Sequence, residues 1–233
     1  MAAKTDLVLV PGLMCTEALW APQIAVFGSK ARIMIGDHTC HDTISTIAAS
    51  ILAAAPPRFA LAGLSMGGYI AFEIMRQAPD RVTRLCLLDT SARPDTPEAT
   101  AFRRGLVAAA EKQGIEAGFD AFFARLVHPD RYTDPAIRGV VRAMADQIGV
   151  AGFARQQEAI ISRGDSRPHL GAIVCPTFVI AGQEDALTPV AVNEEIAHGI
   201  AGSRLEIVAH CGHLSTLERP ERVGDLMTEW LEG

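Results

Sequence analysis

Eight residues, Leu61-Ala-Gly-Leu-Ser-Met-Gly-Gly68, leave this chain few ways to fold. Before them, Phe59 to Ala62 is a short apolar run without helical spacing. After them, Ile70, Ala71, Ile74 and Ala78 recur at i, i+1, i+4 and i+8, with Glu73, Arg76 and Gln77 on the other side. A buried strand therefore ends at Gly63, turns at Ser65 and enters a helix at Met66. Gly-x-Ser-x-Gly at such a junction is the nucleophile-elbow pattern. A turn this tight strains the serine backbone and requires small neighbours two residues away on each side. It holds the Ser65 hydroxyl above the sheet and aims the Met66 N–H, at the positive end of the helix, into the same space. The bare pattern recurs by chance in about one chain of this size in fifteen, so the strand-turn-helix context carries the argument. The other reading of a glycine-rich strand-helix turn, phosphate binding, requires Gly-x-Gly-x-x-Gly, and Ser65 stands where the second glycine belongs.

The rest of the chain repeats the alternation. Short apolar strands are expected at Asp6–Val10, Ala31–Ile35, Arg84–Asp89, Thr177–Ala181 and Arg204–Val208. Between them, Trp20, Ile24 and Phe27 mark a short helix, and Ile44, Ile47, Ala48, Ile51, Leu52 and Ala55 mark an amphipathic one that Pro56-Pro57 stops. Thr188-Pro189 opens another, with Thr188 expected as its N-cap. Val223, Leu226, Met227, Trp230 and Leu231 mark the last. This predicts an α/β fold: a doubly wound sheet of about six mostly parallel strands with helices on both faces. Function in such sheets gathers beyond the C-terminal strand ends. Residues 92–170 break the alternation with helical patterns alone, Phe119, Phe122, Phe123, Leu126 and Val127 on one face and Ile137, Val140, Val141, Met144 and Ile148 on another. They are expected to form a helical cap inserted into a core made of residues 1–91 and 171–233; an extra helical layer away from the site is the alternative.

Composition excludes several classes. A net charge of -6 argues against nucleic acid or an anionic membrane as partner. No run approaches a membrane span or a signal segment, and five scattered cysteines make neither a disulfide framework nor paired metal knuckles. The expectation is a cytoplasmic protein with reduced thiols, monomeric or homodimeric.

Ser65 requires a base. His213, in Cys211-Gly-His213 after the last strand, lies on the functional edge where Gly212 lets the loop turn inward; His210 is its nearest competitor. His128, His169 and His198 fall in the insertion, a linker and a helix, and are expected to be solvated. The acid that fixes the base's tautomer is assigned to Asp185, directly after the fifth strand, with Asp89 at the end of the fourth as the alternative and Glu184 pointing away. The second oxyanion donor is placed at the Leu13 N–H, beside that of Met66. Met14, Trp20, Tyr69, Phe122 and Phe123 are the expected substrate-binding residues of an apolar pocket. Arg93 and Arg167, at the ends of the insertion, are the available clamps for a substrate carboxylate. Asp37-His38-Thr-Cys40-His41-Asp42 gathers metal-capable side chains on the same edge, but no second cluster adds ligands. It is read as a solvated polar loop, and no metal and no cofactor is expected.

Taken together, these residues resemble the α/β-hydrolase fold superfamily. The likeness is to its lidded branch of small carboxylesterases, enol-lactone hydrolases, proline iminopeptidases and cofactor-free haloperoxidases. It rests on Val10-Pro-Gly12 with Trp20 downstream, Gly63-Leu-Ser-Met-Gly-Gly68, Cys175-Pro-Thr177 leading to Asp185 and Thr188-Pro189, and Gly212-His213 followed by Glu218-Arg-Pro220. The order Ser65, Asp185, His213 is the one expected of that family's triad. Two features depart from it: Pro11-Gly12 stands where members often have His-Gly, and only Met1 to Thr5 precede the first strand, so the sheet is expected to be truncated at that edge. The resemblance implies a serine hydrolase that cleaves a small, largely apolar ester, lactone or thioester through an acyl-enzyme on Ser65. Amide, peptide or carbon–carbon bond hydrolysis on the same residues is the alternative chemistry, and a non-catalytic small-ligand receptor is the alternative class.

Overall fold

The computed structural model describes residues 4–233; of the expected opening segment Met1 to Thr5, the first three residues lie outside them. The chain runs β1 (Thr5–Val10), α1 (Ala21–Phe27), β2 (Ala31–Ile35), α2 (Ile44–Ala54), β3 (Phe59–Leu64), α3 (Met66–Gln77) and β4 (Val82–Leu88). Helices α4 (Pro97–Gln113), α5 (Ile115–Leu126) and α6 (Pro135–Ile161) follow. Then come β5 (Thr177–Gly182), α7 (Val190–Gly199), β6 (Arg204–Val208), α8 (Ser215–Glu218) and α9 (Pro220–Glu232). The six strands form one sheet in the order β2-β1-β3-β4-β5-β6, and every pairing is parallel.

Side chains alternate across the strands with period two. Leu7, Leu9, Ala62, Leu64, Cys86 and Leu88 pack with Phe27 of α1 and Leu226 and Trp230 of α9. Val8, Val10, Leu61, Leu85, Leu87 and Val179 pack with Ile47 and Ile51 of α2, Ile70 and Ile74 of α3, and Ile196 of α7. Both faces are covered, which is why these strands read as continuous apolar runs.

The chain leaves β1 toward β2 on one side and returns past it to β3 on the other. The order thus reverses between β1 and β3, where Val10 is in register with Gly63. A crevice opens at such a point because the two connecting loops depart in opposite directions. The loop after β1 and the turn after β3 both start there.

Helices α4 to α6 lie between β4 and β5 in the chain and pack with Leu106, Phe119, Phe123, Val141 and Met144 into the same apolar cluster as one face of the sheet. Within α6, Gly149 leaves the helical region at φ 65°, ψ 175°, so the helix bends there. Val140, read as part of the apolar face of α6, is 38% exposed. Among the described residues no helix is long and apolar enough to cross a membrane.

Candidate active site

The turn after β3 has the strained geometry its glycines imply. Ser65 sits at φ 55°, ψ -113°. A Cβ on Gly63 would overlap the Gly67 carbonyl, and one on Gly67 would run into the Val10 carbonyl. The turn is pinned by the Ser65 N–H to Leu88 O (2.9 Å) and by the Thr90 hydroxyl donating to Ser65 O (2.8 Å). Met66 opens α3, so its N–H has no partner within the helix. Across the crevice, the Leu13 N–H makes no hydrogen bond within the described chain.

His213 and Asp185 meet in the interior. His213 Nδ1 lies 2.7 Å from Asp185 Oδ2, with both side chains almost completely buried. Asp185 is held ionised by further donors: Leu187 N–H (2.8 Å) and Thr188 N–H (3.0 Å) to Oδ1, and the Thr188 hydroxyl (2.6 Å) to Oδ2. Burial opposes its charge, yet the His213 ring and these bonds outweigh burial and lower its pKa to about 2. Burial likewise opposes the charged His213 ring, but the adjacent Asp185 carboxylate prevails and raises that pKa above its ordinary value. A carboxylate can only accept, so His213 Nδ1 carries the proton and Nε2 is left as the basic atom. Ser65 and His213 line one cavity of about 330 Å³. No direct Ser65–His213 hydrogen bond is present among the described residues.

The Thr188 hydroxyl is spent on Asp185. It therefore does not cap α7, whose N-cap is Pro189 without a side-chain bond, contrary to the sequence expectation. The loop carrying His213 is organised by buried Glu218. Its Oε1 accepts the Gly212 and Leu214 N–H groups and its Oε2 accepts the His128 N–H. The only sequence sign of Glu218 is its place in Glu218-Arg-Pro220.

Asp89, the alternative acid, is not bonded to His213. Its oxygens take the Gly182 N–H (2.7 Å) and the Ser215 hydroxyl, and burial together with the nearby Asp185 charge raises its pKa to about 8. His210 is exposed at φ 52°, and Glu184 turns aside to accept the Cys211 N–H. Burial pushes the Cys15 thiol up to about 12 and raises that of Cys211 as well, so neither supplies a thiolate.

Of the expected pocket residues, Met14, Tyr69 and Phe122 line the cavity. Trp20 and Phe123 do not. Trp20 is fully buried in the core, and Phe123 packs on Phe119 with ring centroids 5.5 Å apart, leaving Phe119 to face the cavity in its place. The largely apolar cavity also carries charged side chains. Arg93, Arg103, Arg125 and Arg163 line it, with Asp95 as their acidic neighbour. Burial disfavours the Asp95 charge, but Arg103 and Arg163 hold its carboxyl below the usual range. Arg163 also stacks over the Tyr69 ring at 4.6 Å. Arg93 pairs with Glu195, whereas Arg125 has no acidic partner among the described residues. Arg167 does not line the cavity and is taken up by Asp165. Arginines scattered singly through the sequence gave no sign that they would converge.

The segment 37–42 does not gather ligands. Asp37 bonds to Thr39 and Cys40, and His38 is buried rather than solvated. His128, also expected in solvent, is buried too. Together with Asp130 and His210, it forms the one group of metal-capable side chains that converges among the described residues, with ligand atoms within 4.8 Å of one another. The His128 Nδ1 lone pair there already accepts the Asp130 N–H.

A family model described as the alpha/beta hydrolase family matches residues 7–226. The chain is 26% identical over 234 residues to 3-oxoadipate enol-lactonase 2 of Acinetobacter baylyi, covering 94% of this chain and 86% of that protein. It superposes on a thermophilic esterase from Thermogutta terrifontis with a TM-score of 0.91 at 30% identity, covering 99% of this chain and 90% of the other. On the enol-lactonase from Burkholderia xenovorans LB400 the TM-score is 0.90 at 26% identity, covering 100% and 93%. With the family model spanning residues 7–226 and the fold shared across nearly the whole length of both solved structures, this chain belongs to the alpha/beta hydrolase family.

Proposed function

We propose that the protein hydrolyses small carboxylic esters or lactones by acyl transfer through Ser65. The observation that carries this reading is the buried Asp185–His213 pair opening on the same cavity as the strained Ser65 turn. In this reading His213 Nε2 takes the Ser65 proton as Oγ attacks the carbonyl carbon, then returns a proton to the leaving alkoxide. Asp185 holds the ring in the required tautomer and stabilises the imidazolium. The Leu13 and Met66 N–H groups receive the oxyanion, each such donor contributing about 2.7–4 kcal/mol. Water, deprotonated by the same histidine, then releases the acid. The helices between β4 and β5 act as the cap, supplying Phe119 and Phe122 for an apolar acyl or alcohol group. Arg125, which lines the cavity without an acidic partner among the described residues, favours a substrate that carries a carboxylate, in keeping with the enol-lactonase names among the similar proteins.

The test is hydrolysis of a chromogenic ester series, acetate to octanoate, alongside lactones with and without a carboxylate, by wild type and Ser65→Ala. Wild-type turnover with a loss of about 10³-fold or more in the mutant is expected. A fluorophosphonate should label wild type at Ser65. Equal turnover by both proteins, or label elsewhere, would discard the assignment.

A further inference from the structure

The loop that supplies Leu13 is braced from outside the predicted catalytic residues. His38, just beyond β2, is 2% exposed, and its Nε2 lies 2.8 Å from Gly12 O. A carbonyl oxygen can only accept, so Nε2 bears the proton and donates it. Burial, working against the weaker effects of the Gly12 bond and of Asp37, holds the ring's pKa below the ordinary histidine range.

The consequence lies in the peptide unit. Gly12 C=O and Leu13 N–H belong to one plane and, in a trans peptide, point in opposite directions. Fixing the carbonyl on His38 fixes the direction of the N–H on the other side, where Gly12 and Leu13 line the cavity and Gly12 packs against Ser65. The turn needs such a brace. Gly12 O also accepts the Cys15 N–H (3.1 Å), and within this turn Met14 sits at φ 58°, a region unfavourable for a side chain with a Cβ. The next peptide is held from the opposite side, where the Met14 N–H donates to Gln156 Oε1 (3.0 Å) of α6.

We propose that His38 is a positioning residue for the oxyanion hole, its Nε2–H holding the Gly12–Leu13 peptide so that the Leu13 N–H meets the developing oxyanion. This rests on the acyl-enzyme reading of Ser65. It also gives the 37–42 loop a role other than metal binding or solvation. His38 touches no substrate; it acts only through the peptide.

The test compares His38→Leu, which lacks the donor, with His38→Gln, whose amide nitrogen reaches the Nε2 position. Removing an oxyanion donor outright costs about 10²–10³-fold in kcat, and releasing its peptide is expected to cost about 10- to 100-fold. KM should hardly change. A trifluoromethyl ketone, which forms a tetrahedral adduct on Ser65, should bind more weakly by the same factor, while the alcohol product binds unchanged. His38→Gln should recover most of both losses. Equal losses in the two variants, or a full kcat in His38→Leu, would overturn the proposal. Wild type supplies a readout that needs no folded variant, the ¹⁵N shifts of the His38 ring, assigned by the signal lost in His38→Gln or, failing that, through the backbone. An Nε2–H tautomer at neutral pH is expected; an Nδ1–H tautomer would overturn it. If wild type turns over no ester or lactone and fluorophosphonate leaves Ser65 unlabelled, the reading of the site itself fails and this proposal falls with it. Labelling with normal turnover in His38→Leu sinks the His38 proposal alone.

Discussion

Three carboxyl groups within the same few loops are driven to different states by their neighbours. Asp185 collects three donors besides His213 and stays ionised; Asp89 is fully buried with fewer donors beside the Asp185 charge and is pushed up to about 8; Glu218 is raised by burial while accepting three backbone N–H groups. Of the three, Asp185 is the one hydrogen-bonded to His213. That pairing fixes the expected pH dependence. In the proposed mechanism His213 must be neutral to accept the Ser65 proton, and its pKa lies above the ordinary histidine value. So kcat/KM should fall as pH drops through a value above about 6.5. Asp185→Asn removes the charge that raises this pKa. The acid limb should move to lower pH while kcat falls about 10⁴-fold. A pH-rate profile measured on both proteins checks this, and an unmoved acid limb would show that another group sets it. Sequence position could rank Asp185 above Asp89, but the Thr188 hydroxyl was read as a helix cap because Thr-Pro before a helix is a common N-terminal signal. The carboxylate and the helix compete for one hydroxyl, and the buried charge takes it.

At the scale of elements, the site is a meeting of loops that separate strands deliver to one edge. The turn after β3, the loop after β1 and the loops after β5 and β6 contribute Ser65, Leu13, Asp185 and His213, and the parallel register brings them together. Alternating apolar runs made this edge legible. The contacts between the helical insertion and those loops were not. Helix α6 reaches the loop after β1 through Gln156, and the end of α5 accepts the His213 and Leu214 N–H groups at Leu126 O. The bond from Gln156 joins residues 142 positions apart, a separation over which no local spacing carries a signal. Gln156→Leu keeps the side chain's approximate volume but leaves the buried Met14 N–H unpaired. A loss of about 1–3 kcal/mol is expected in denaturant titration, with kcat reduced and the pH optimum unchanged. Undiminished kcat would show that the insertion does not steer the loop.

For the whole molecule, the sheet's two faces each carry a continuous apolar cluster, and one of them extends without interruption from α1 and α9 into the insertion. Trp20, expected in the pocket, belongs to that cluster and not to the cavity. Trp20→Ala should therefore cost about 3–5 kcal/mol in stability and leave the KM for esters nearly unchanged; a raised KM in a protein of normal stability would return Trp20 to the site. The sequence by itself determined the strand-helix alternation, the buried faces of the strands and of most helices, the strained serine turn and the chain order of Ser65, Asp185 and His213. Each of these is written in spacings of a few residues, because strand and helix periods and tight-turn sterics are local. Only the tertiary structure decided which aromatic rings face the cavity, that four arginines converge on it, and that His38 braces the Gly12–Leu13 peptide. Those outcomes depend on side chains from distant segments competing for one enclosed volume, where close packing and the desolvation of each polar group select the partners.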